Sequence, residues 1–410
     1  MKWLRASVES VKAERRHSLV GGPFGSELTR ADYVEGGVPV IRGSNLPDGR
    51  SFHDGDFVFV TEEKADHLSA NISHPGDLVF TQRGTLGQVG LIPYSARFPR
   101  YLISQSQMKL TVDPAKADPK FVYYYFRRPE VVQSIKNRAI TSGVPHINLG
   151  ILRAFEIVCP PLEAQRQIAC ILSAYDDLIE NNRRRMALLE QAARHLYEEW
   201  FVRLRFPGHE HTRVTGGVPE GWERAPAPEA IAINPRTSLS DEEEHWYVEM
   251  SDLPTDSMVI QNAVKRDGRS GSKFRNGDTL LARITPCLEN GKTGFVNFLN
   301  DDEAARGSTE FIVLRSKRLT PEFVYCLARS YHFRENAIKS MVGSSGRQRV
   351  QDTCFEKFMV WLPPRPLLDL FSEAAEPMFQ QVRVLHAQNQ KLKAARDLLL
   401  PRLMSGEIAV

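Results

Sequence analysis

The side chains in this 410-residue sequence with the clearest chemical potential are arginines, amides and hydroxyls gathered in turn regions punctuated by glycine. They are Arg42, Ser44 and Asn45; Gln82, Arg83 and Thr85; Arg97, Arg100 and Tyr101; Arg283, Lys292 and Arg306; and the run Ser344-Ser345-Gly346-Arg347-Gln348-Arg349. Guanidinium and amide groups make bidentate hydrogen bonds to base edges, while hydroxyls and cations hold phosphates. Glycine beside them lets backbone come near a duplex. Any one of these residues fits a solvated loop as well. The pattern gains weight by recurring: Ser142-Gly-Val-Pro-His146 and Ser344-Ser-Gly-Arg-Gln348 each follow a helical stretch and precede the last strand of a repeated segment. All of these, with Ser142 and His146, are the candidate nucleic-acid-contacting residues.

Catalytic patterns are missing by comparison. No HExxH, GxSxG or GxGxxG occurs, nor an Asn-Pro-Pro-aromatic tetrapeptide. Pro286-Cys-Leu-Glu-Asn-Gly-Lys-Thr293 imitates a phosphate-binding loop, but proline replaces its first glycine. His209-Glu-His211 has metal-capable side chains in a Pro/Gly-rich stretch, where a solvated turn is the simpler reading. Five cysteines are scattered without a CxxC pair, which suits reduced thiols better than a disulfide frame or a zinc site. The sequence reads as a binder, not a catalyst, with no metal ligand set.

What must position these loops is a pair of long helices. Ile168, Leu172, Tyr175, Ile179, Asn182, Met186, Leu189, Ala193, Leu196 and Trp200 follow one another at alternating steps of four and three. Phe371, Ala375, Met378, Val382, Leu385, Asn389, Leu392, Arg396, Leu399 and Leu403 repeat that rhythm about 203 residues later. Apolar seams this long need a partner. Side by side in parallel, Asn182 would face Leu385 and Met186 would face Asn389, burying two unpaired amides at roughly 1–3 kcal/mol each. Antiparallel pairing sets Asn182 opposite Asn389, Trp200 opposite Phe371 and Ile168 opposite Leu403, so the amides lock the register. Two unrelated amphipathic helices are the competing reading, and the matched phase and flanks argue against it.

The flanks repeat as well. Pro160-Pro161 precedes one helix and Pro363-Pro364 the other. Asp118-Pro-Lys-Phe-Val-Tyr123 matches Thr320-Pro-Glu-Phe-Val-Tyr325, and Pro75-Gly-Asp-Leu-Val-Phe80 matches Asn276-Gly-Asp-Thr-Leu-Leu281. The expected organisation is a globular domain over 1–159, a spacer helix over 160–206, a second globular domain over 207–362 and a second spacer helix over 363–410, with Pro207–Pro228 as an exposed linker. Segments such as Val38–Arg42, Asp77–Thr81, Thr279–Ala282 and Thr309–Leu314 read as strands. Pro119 to about Arg138, and Pro321 to about Lys339, read as one helix in each domain. Each domain is thus α+β with a mainly antiparallel sheet. Pro377, inside the second seam, predicts a helix start or kink.

Composition fits a globular protein: 42% hydrophobic and 25% charged residues, net charge +3, pI ≈ 8.5. This weak basic excess does not by itself demand nucleic acid. No apolar run of eighteen residues and no leader-like opening are present, so a cytoplasmic location and no membrane contact are expected.

Three motifs now point to one family. Gly22-Pro-Phe-Gly-Ser26 with Asp32-Tyr33, Gly37-Val-Pro-Val-Ile-Arg-Gly43 and Asn45-Leu46; Pro160-Pro-Leu-Glu-Ala-Gln-Arg-Gln-Ile168; and Leu399-Leu-Pro-Arg-Leu-Met-Ser-Gly-Glu-Ile408 resemble the specificity (S) subunit of type I restriction–modification enzymes along the whole length. Pro377 and Pro363-Pro-Arg-Pro366 depart from the family pattern. The resemblance implies two mixed α/β target recognition domains, separated by two helices in an antiparallel, pseudo-twofold coiled coil. It implies partners as well: double-stranded DNA, two methyltransferase (M) subunits, and restriction/motor (R) subunits. S-adenosylmethionine, ATP and Mg would reside on those partners, which supply adenine-N6 methylation and ATP-dependent cleavage in the complex, and none on this chain.

Antiparallel pairing of a tandem repeat inverts the two readers, matching the opposite polarity of duplex strands. About forty helical residues at about 1.5 Å each form a rod on the order of 60 Å that sets the gap between half-sites. The differing polar loops predict an asymmetric target. Alternatives from other classes are a stand-alone DNA-modifying or DNA-cleaving enzyme, which cofactor-dependent activity of the purified chain would reveal, and a protein-binding scaffold. Cysteines placed at 182 and 389 are expected to cross-link. A bridge from 182 to 385 instead would overturn the antiparallel register.

Overall fold

The computed structural model describes residues 3–141, 143–239, 244–268, 270–344 and 346–410. Two compact units emerge: 1–181 with 389–410, and 182–388. Each long helix is therefore divided, one part packing with each unit. Where the four-part sequence reading drew the helices as arms of their own, they are floors of the units.

In the first unit the strands are β1 (Leu4–Ser7), β2 (Leu19–Gly21), β3 (Val38–Ile41), β4 (Val58–Val60), β5 (Ile72–Ser73), β6 (Leu78–Thr81), β7 (Val89–Leu91), β8 (Tyr101–Ile103), β9 (Gln107–Leu110) and β10 (Glu156–Cys159). They form two four-stranded sheets, ordered β2-β9-β6-β7 and β4-β3-β8-β5, and the pair β1-β10. Only β3 and β8 run parallel among these pairs. The helices of this unit are α1 (Val8–Val11), α2 (Glu62–His67), α3 (Pro119–Phe126), α4 (Pro129–Asn137), α5 (Leu149–Arg153) and the first part of α6 (Leu162–Tyr197).

The second unit carries β11 (Val214–Thr215), β12 (Val218–Pro219), β13 (Glu223–Pro226), β14 (Ile231–Ile233), β15 (His245–Val248), β16 (Val264–Arg266), β17 (Ser272–Arg275), β18 (Thr279–Ala282), β19 (Thr293–Phe295), β20 (Ala304–Gly307), β21 (Phe311–Ser316) and β22 (Met359–Leu362). Orders β14-β21-β18-β19, β16-β15-β20-β17 and β13-β22 repeat the first unit strand for strand. The parallel pair recurs too, as β15 with β20. Its helices are α7 (Ala227–Ala230), α8 (Pro321–Arg329), α9 (Tyr331–Lys339), the last part of α6 and the first part of α10 (Arg365–Ser405), whose last part belongs to the first unit.

The repeated Asp/Thr-Pro-x-Phe-Val-Tyr segment is a helix start in both copies. Asp118 Oδ1 accepts from Phe121 N at 2.9 Å, and Thr320 Oγ1 from Phe323 N at 3.4 Å. The following proline sits where a helix needs no donor. Each single helix expected from sequence is in fact two. Pro129 begins a new helix after Arg127-Arg128, and Ser330, in extended geometry, ends α8 and caps α9. The stretch expected to be an exposed linker is partly core. Trp222 is buried, its ring 5.2 Å from Phe206 and 6.2 Å from Trp361. Nor does Pro377 start a helix: α10 runs unbroken through it. The ring faces solvent while Ala375 and Phe379 beside it are buried, so packing outweighs one lost backbone bond.

Within each unit the seam residues meet in antiparallel fashion. In the second, Trp200 lies 6.2 Å from Phe371, and Phe201 packs on Phe371 at 5.1 Å and on Phe323 of α8 at 4.7 Å. Glu190, buried on α6, accepts from Tyr325 Oη at 2.6 Å and Met258 N at 2.7 Å. Burial pushes its carboxyl up from the ordinary range. In the first unit, Ile168, Leu172, Leu400 and Leu403 share a core with Phe121 and Val122 of α3. Asp176 pairs there with Arg396 and accepts from Tyr124 Oη at 2.7 Å. Asn389, nearly buried, donates Nδ2 to Ile179 O at 3.2 Å, and Asn182 is nearly buried in the other unit. Among the described residues, no helix is long and apolar enough to cross a membrane.

Asp176→Ala takes the acceptor from the Tyr124 hydroxyl and one of two carboxylates from the almost fully buried Arg396 guanidinium, which keeps Asp397 at 2.6 Å, and should lower unfolding free energy by about 2 kcal/mol. Leucine at both 176 and 396 should restore much of that. Urea titration checks both, and a single variant as stable as wild type would show that the pair holds nothing.

Candidate nucleic-acid interface

In the first unit, three turns close against one another beyond the ends of β6 and β9. Gln82 N donates to Ser106 O at 2.7 Å, and Ile147 N to Gln82 O at 3.1 Å. Ile140 and His146 exchange two backbone bonds of 2.8 and 3.2 Å, and His146 also bridges to Arg83. This brings Gln82, Arg83, Thr85 and His146 together. The 22–28 loop joins them, because Gly22 N donates to Gln107 O at 2.8 Å and Gln105 Nε2 to Leu28 O at 2.8 Å. Only glycine fits at 22: a Cβ would lie 2.1 Å from Ser104 O.

The second unit repeats the construction. Arg283 N donates to Glu310 O at 3.0 Å, Val350 N to Arg283 O at 2.8 Å, and Val342 and Arg349 exchange two bonds of 3.0 Å. Gln348 is tied to Thr285 through both backbone and hydroxyl, at 3.1 and 3.0 Å. Beside this platform lies an open groove of ≈ 560 Å³ lined by Asn234, Arg236, Thr237, Ser272, Lys273, Arg283 and Thr309, among others. Arg236 and Lys273 escaped the sequence reading. The available signal was positional: Asn234-Pro-Arg236 follows β14 as Gly22-Pro-Phe24 follows β2.

Burial sorts the candidates. Ser44, Arg83, Thr85, Arg97, Ser344, Arg347 and Arg349 are exposed, while Arg42, Gln82, Arg100, His146, Arg283, Lys292 and Gln348 are half-buried. Ser142 and Ser345 lie outside the described residues. Three expectations need correction. Asn45 is 0% exposed, its amide bonded to Arg42 N, His53 O and Gly55 O at 2.8–3.1 Å. Tyr101 is 0% exposed and donates to Asp54 Oδ1 at 2.9 Å. Arg306 is 2% exposed within β20. Asn45 and Tyr101 hold loops in shape, and none of the three presents its side chain at the surface.

Other candidates are already engaged. Arg100 is held by Glu62 and Asp66, and Lys292 donates to Met250 O at 2.6 Å. Arg97 stacks its guanidinium over Phe98 at 5.3 Å. Arg42 Nη2 donates to Asp56 O at 3.0 Å. Arg349 grips Glu310 with Nε at 2.9 Å and Nη2 at 2.6 Å. That grip holds the Glu310 carboxyl below its ordinary range and Arg349 above its own. His209-Glu-His211 forms a short exposed turn whose His209 Nδ1 sits 2.8 Å from Phe206 O.

A doubled α+β unit, each copy closing a platform of arginine, amide and hydroxyl groups beyond its sheet, defines a tandem of polar-loop recognition modules. Residues 26–191 match the family described as "Type I restriction modification DNA specificity domain". The MjaIX specificity subunit of Methanocaldococcus jannaschii is 25% identical over 369 residues, covering 86% of this chain and 82% of that one. The EcoEI specificity subunit of Escherichia coli is 31% identical over 156 residues, 36% of this chain and 26% of that one. The S subunit of M. genitalium has the same fold, with a TM-score of 0.56 at 15% identity over 98% of this chain and 96% of that one. By these comparisons the chain is similar to specificity subunits of type I restriction–modification enzymes, in sequence over most of its length and in fold.

Because Glu310 is held low, the Arg349 clasp contributes above its unfolded pKa and is lost as pH falls through the folded value. The protection factor of the Val342 amide, which corrects for the intrinsic slowing of exchange in acid, is therefore expected to fall on acidification. In Glu310→Gln it should already be low at neutral pH and change little with acid. Equal exchange in both proteins at neutral pH would remove the clasp from the loop's stability.

Proposed function

We propose that this chain is the non-catalytic sequence-reading subunit of a type I restriction–modification complex. Each unit reads one half of a bipartite, asymmetric double-stranded DNA target. The observation that carries this is the twice-built platform: one backbone scheme with Gln82, Arg83, Thr85 and His146 in one copy, and Arg283, Arg347 and Gln348 in the other. A shared frame with different donors is what two different half-sites require, since backbone geometry places the reader and side chains choose the bases.

Partner docking falls to the long helices, whose outer faces carry apolar side chains not used in the units. Ile171, Leu178 and Leu398 are exposed in the first unit and Leu188, Leu370 and Val384 in the second. Such residues on otherwise seam-buried helices suit two methyltransferase subunits, with restriction/motor subunits joining through them. S-adenosylmethionine, ATP and Mg belong to those partners in this reading.

Methylome sequencing of cells that express this chain with its methyltransferase should show a split motif. Exchanging 1–159 for the matching part of another specificity subunit should alter one half only. In the assembled complex, Arg236→Ala and Lys273→Ala should each lower the slope of log affinity against log salt by about one. A contiguous motif, or one changed in both halves by the exchange, contradicts one-unit-per-half reading.

A further inference from the structure

We infer, resting on the reading above, that Phe24 is a stacking probe that inserts between adjacent base pairs of the half-site read by the first unit. Single apolar residues on a surface ordinarily need no explanation. Phe24 differs in degree and in setting. Its 88% exposure exceeds that of the other exposed large hydrophobics, which reach 76% at Leu4.

The loop that carries it is held from several directions. Phe24 N donates to Glu27 Oε2 at 3.0 Å, and Glu27 N returns to Phe24 O at 3.1 Å. Gly22 N is fixed to Gln107 O at 2.8 Å, and the Gln105 amide reaches Gly25 O and Leu28 O. Gln105 adjoins Ser106, whose carbonyl receives Gln82 N at 2.7 Å. The backbone is thus pinned to the reading platform while the ring is left almost wholly uncovered. A flexible side chain would lose rotamer entropy on insertion, whereas a ring on a preset loop loses little. Phenylalanine wedges part base steps in this way, and any base offers a π-face to an aromatic ring.

At the matching position the second unit has no aromatic ring. Where Gly22-Pro-Phe24 follows β2, Asn234-Pro-Arg236 follows β14, and Arg236 lines a cationic groove. Insertion is accordingly confined to one half of the target, and the other half meets a guanidinium at the matching place.

The full chain assembled with its methyltransferase subunit, on target duplexes with 2-aminopurine moved step by step through both half-sites, tests this. Wild type should brighten the probe at one step of the first unit's half. Phe24→Ala should abolish that signal and weaken binding on the order of tenfold, with an unchanged salt slope because no charge is lost. Phe24→Trp should keep both signal and affinity. An alanine variant with wild-type brightening and affinity overturns the inference. So does one that loses subunit assembly instead of DNA contact, which would make the ring a protein contact. Wild type without sequence-selective binding would instead sink the recognition reading on which this rests.

Discussion

The constraint on which the rest depends is the burial of two helical seams too apolar to face water. In each unit they form the surface on which the capped helix of the repeat is laid: α3 over Ile168, Leu172 and Leu403, and α8 over Phe201 and Phe371. Polar pins fix the lay at points where hydrocarbon alone would slide. Glu190 takes the hydroxyl of Tyr325, and Asp176 joins Tyr124 to Arg396. The two units use different pins in different places, although their strand orders are the same.

From this floor the sheets reach the platform without further invention. β6 and β18 are buried along their whole length, so the chain can turn polar only where it leaves them, at Gln82 and Arg283. The same carbonyls then receive Ile147 and Val350. Backbone bonds carry the closure, which frees the side chains to differ between copies. The turns can therefore vary by substitution while the frame stays put.

Legibility followed the range of the forces involved. The heptad rhythm, the Asp/Thr-Pro helix starts and the apolar strand segments are local signals, and all could be read. The breaks at Pro129 and Ser330 were readable in principle, since proline and serine announce a helix boundary, yet the apolar period running across them hid the interruption. The 207–228 stretch reads as a linker because Trp222 lies beside Gly221 and near Pro219 in sequence, but in space it lies beside Phe206 and Trp361.

Among the polar candidates, the sequence showed residue types and turn positions. It could not tell a presented side chain from a committed one. Asn45 binds the carbonyls of His53 and Gly55, and Arg349 closes on Glu310. Arg236 and Lys273, distant in sequence, come together in one groove. The chain's own order determined the tandem repeat, the two seams and their antiparallel sense, because side-chain period and helix capping act over a few residues. Tertiary structure decided which donors face outward, because a hydrogen bond's partner is set by neighbours tens of residues away.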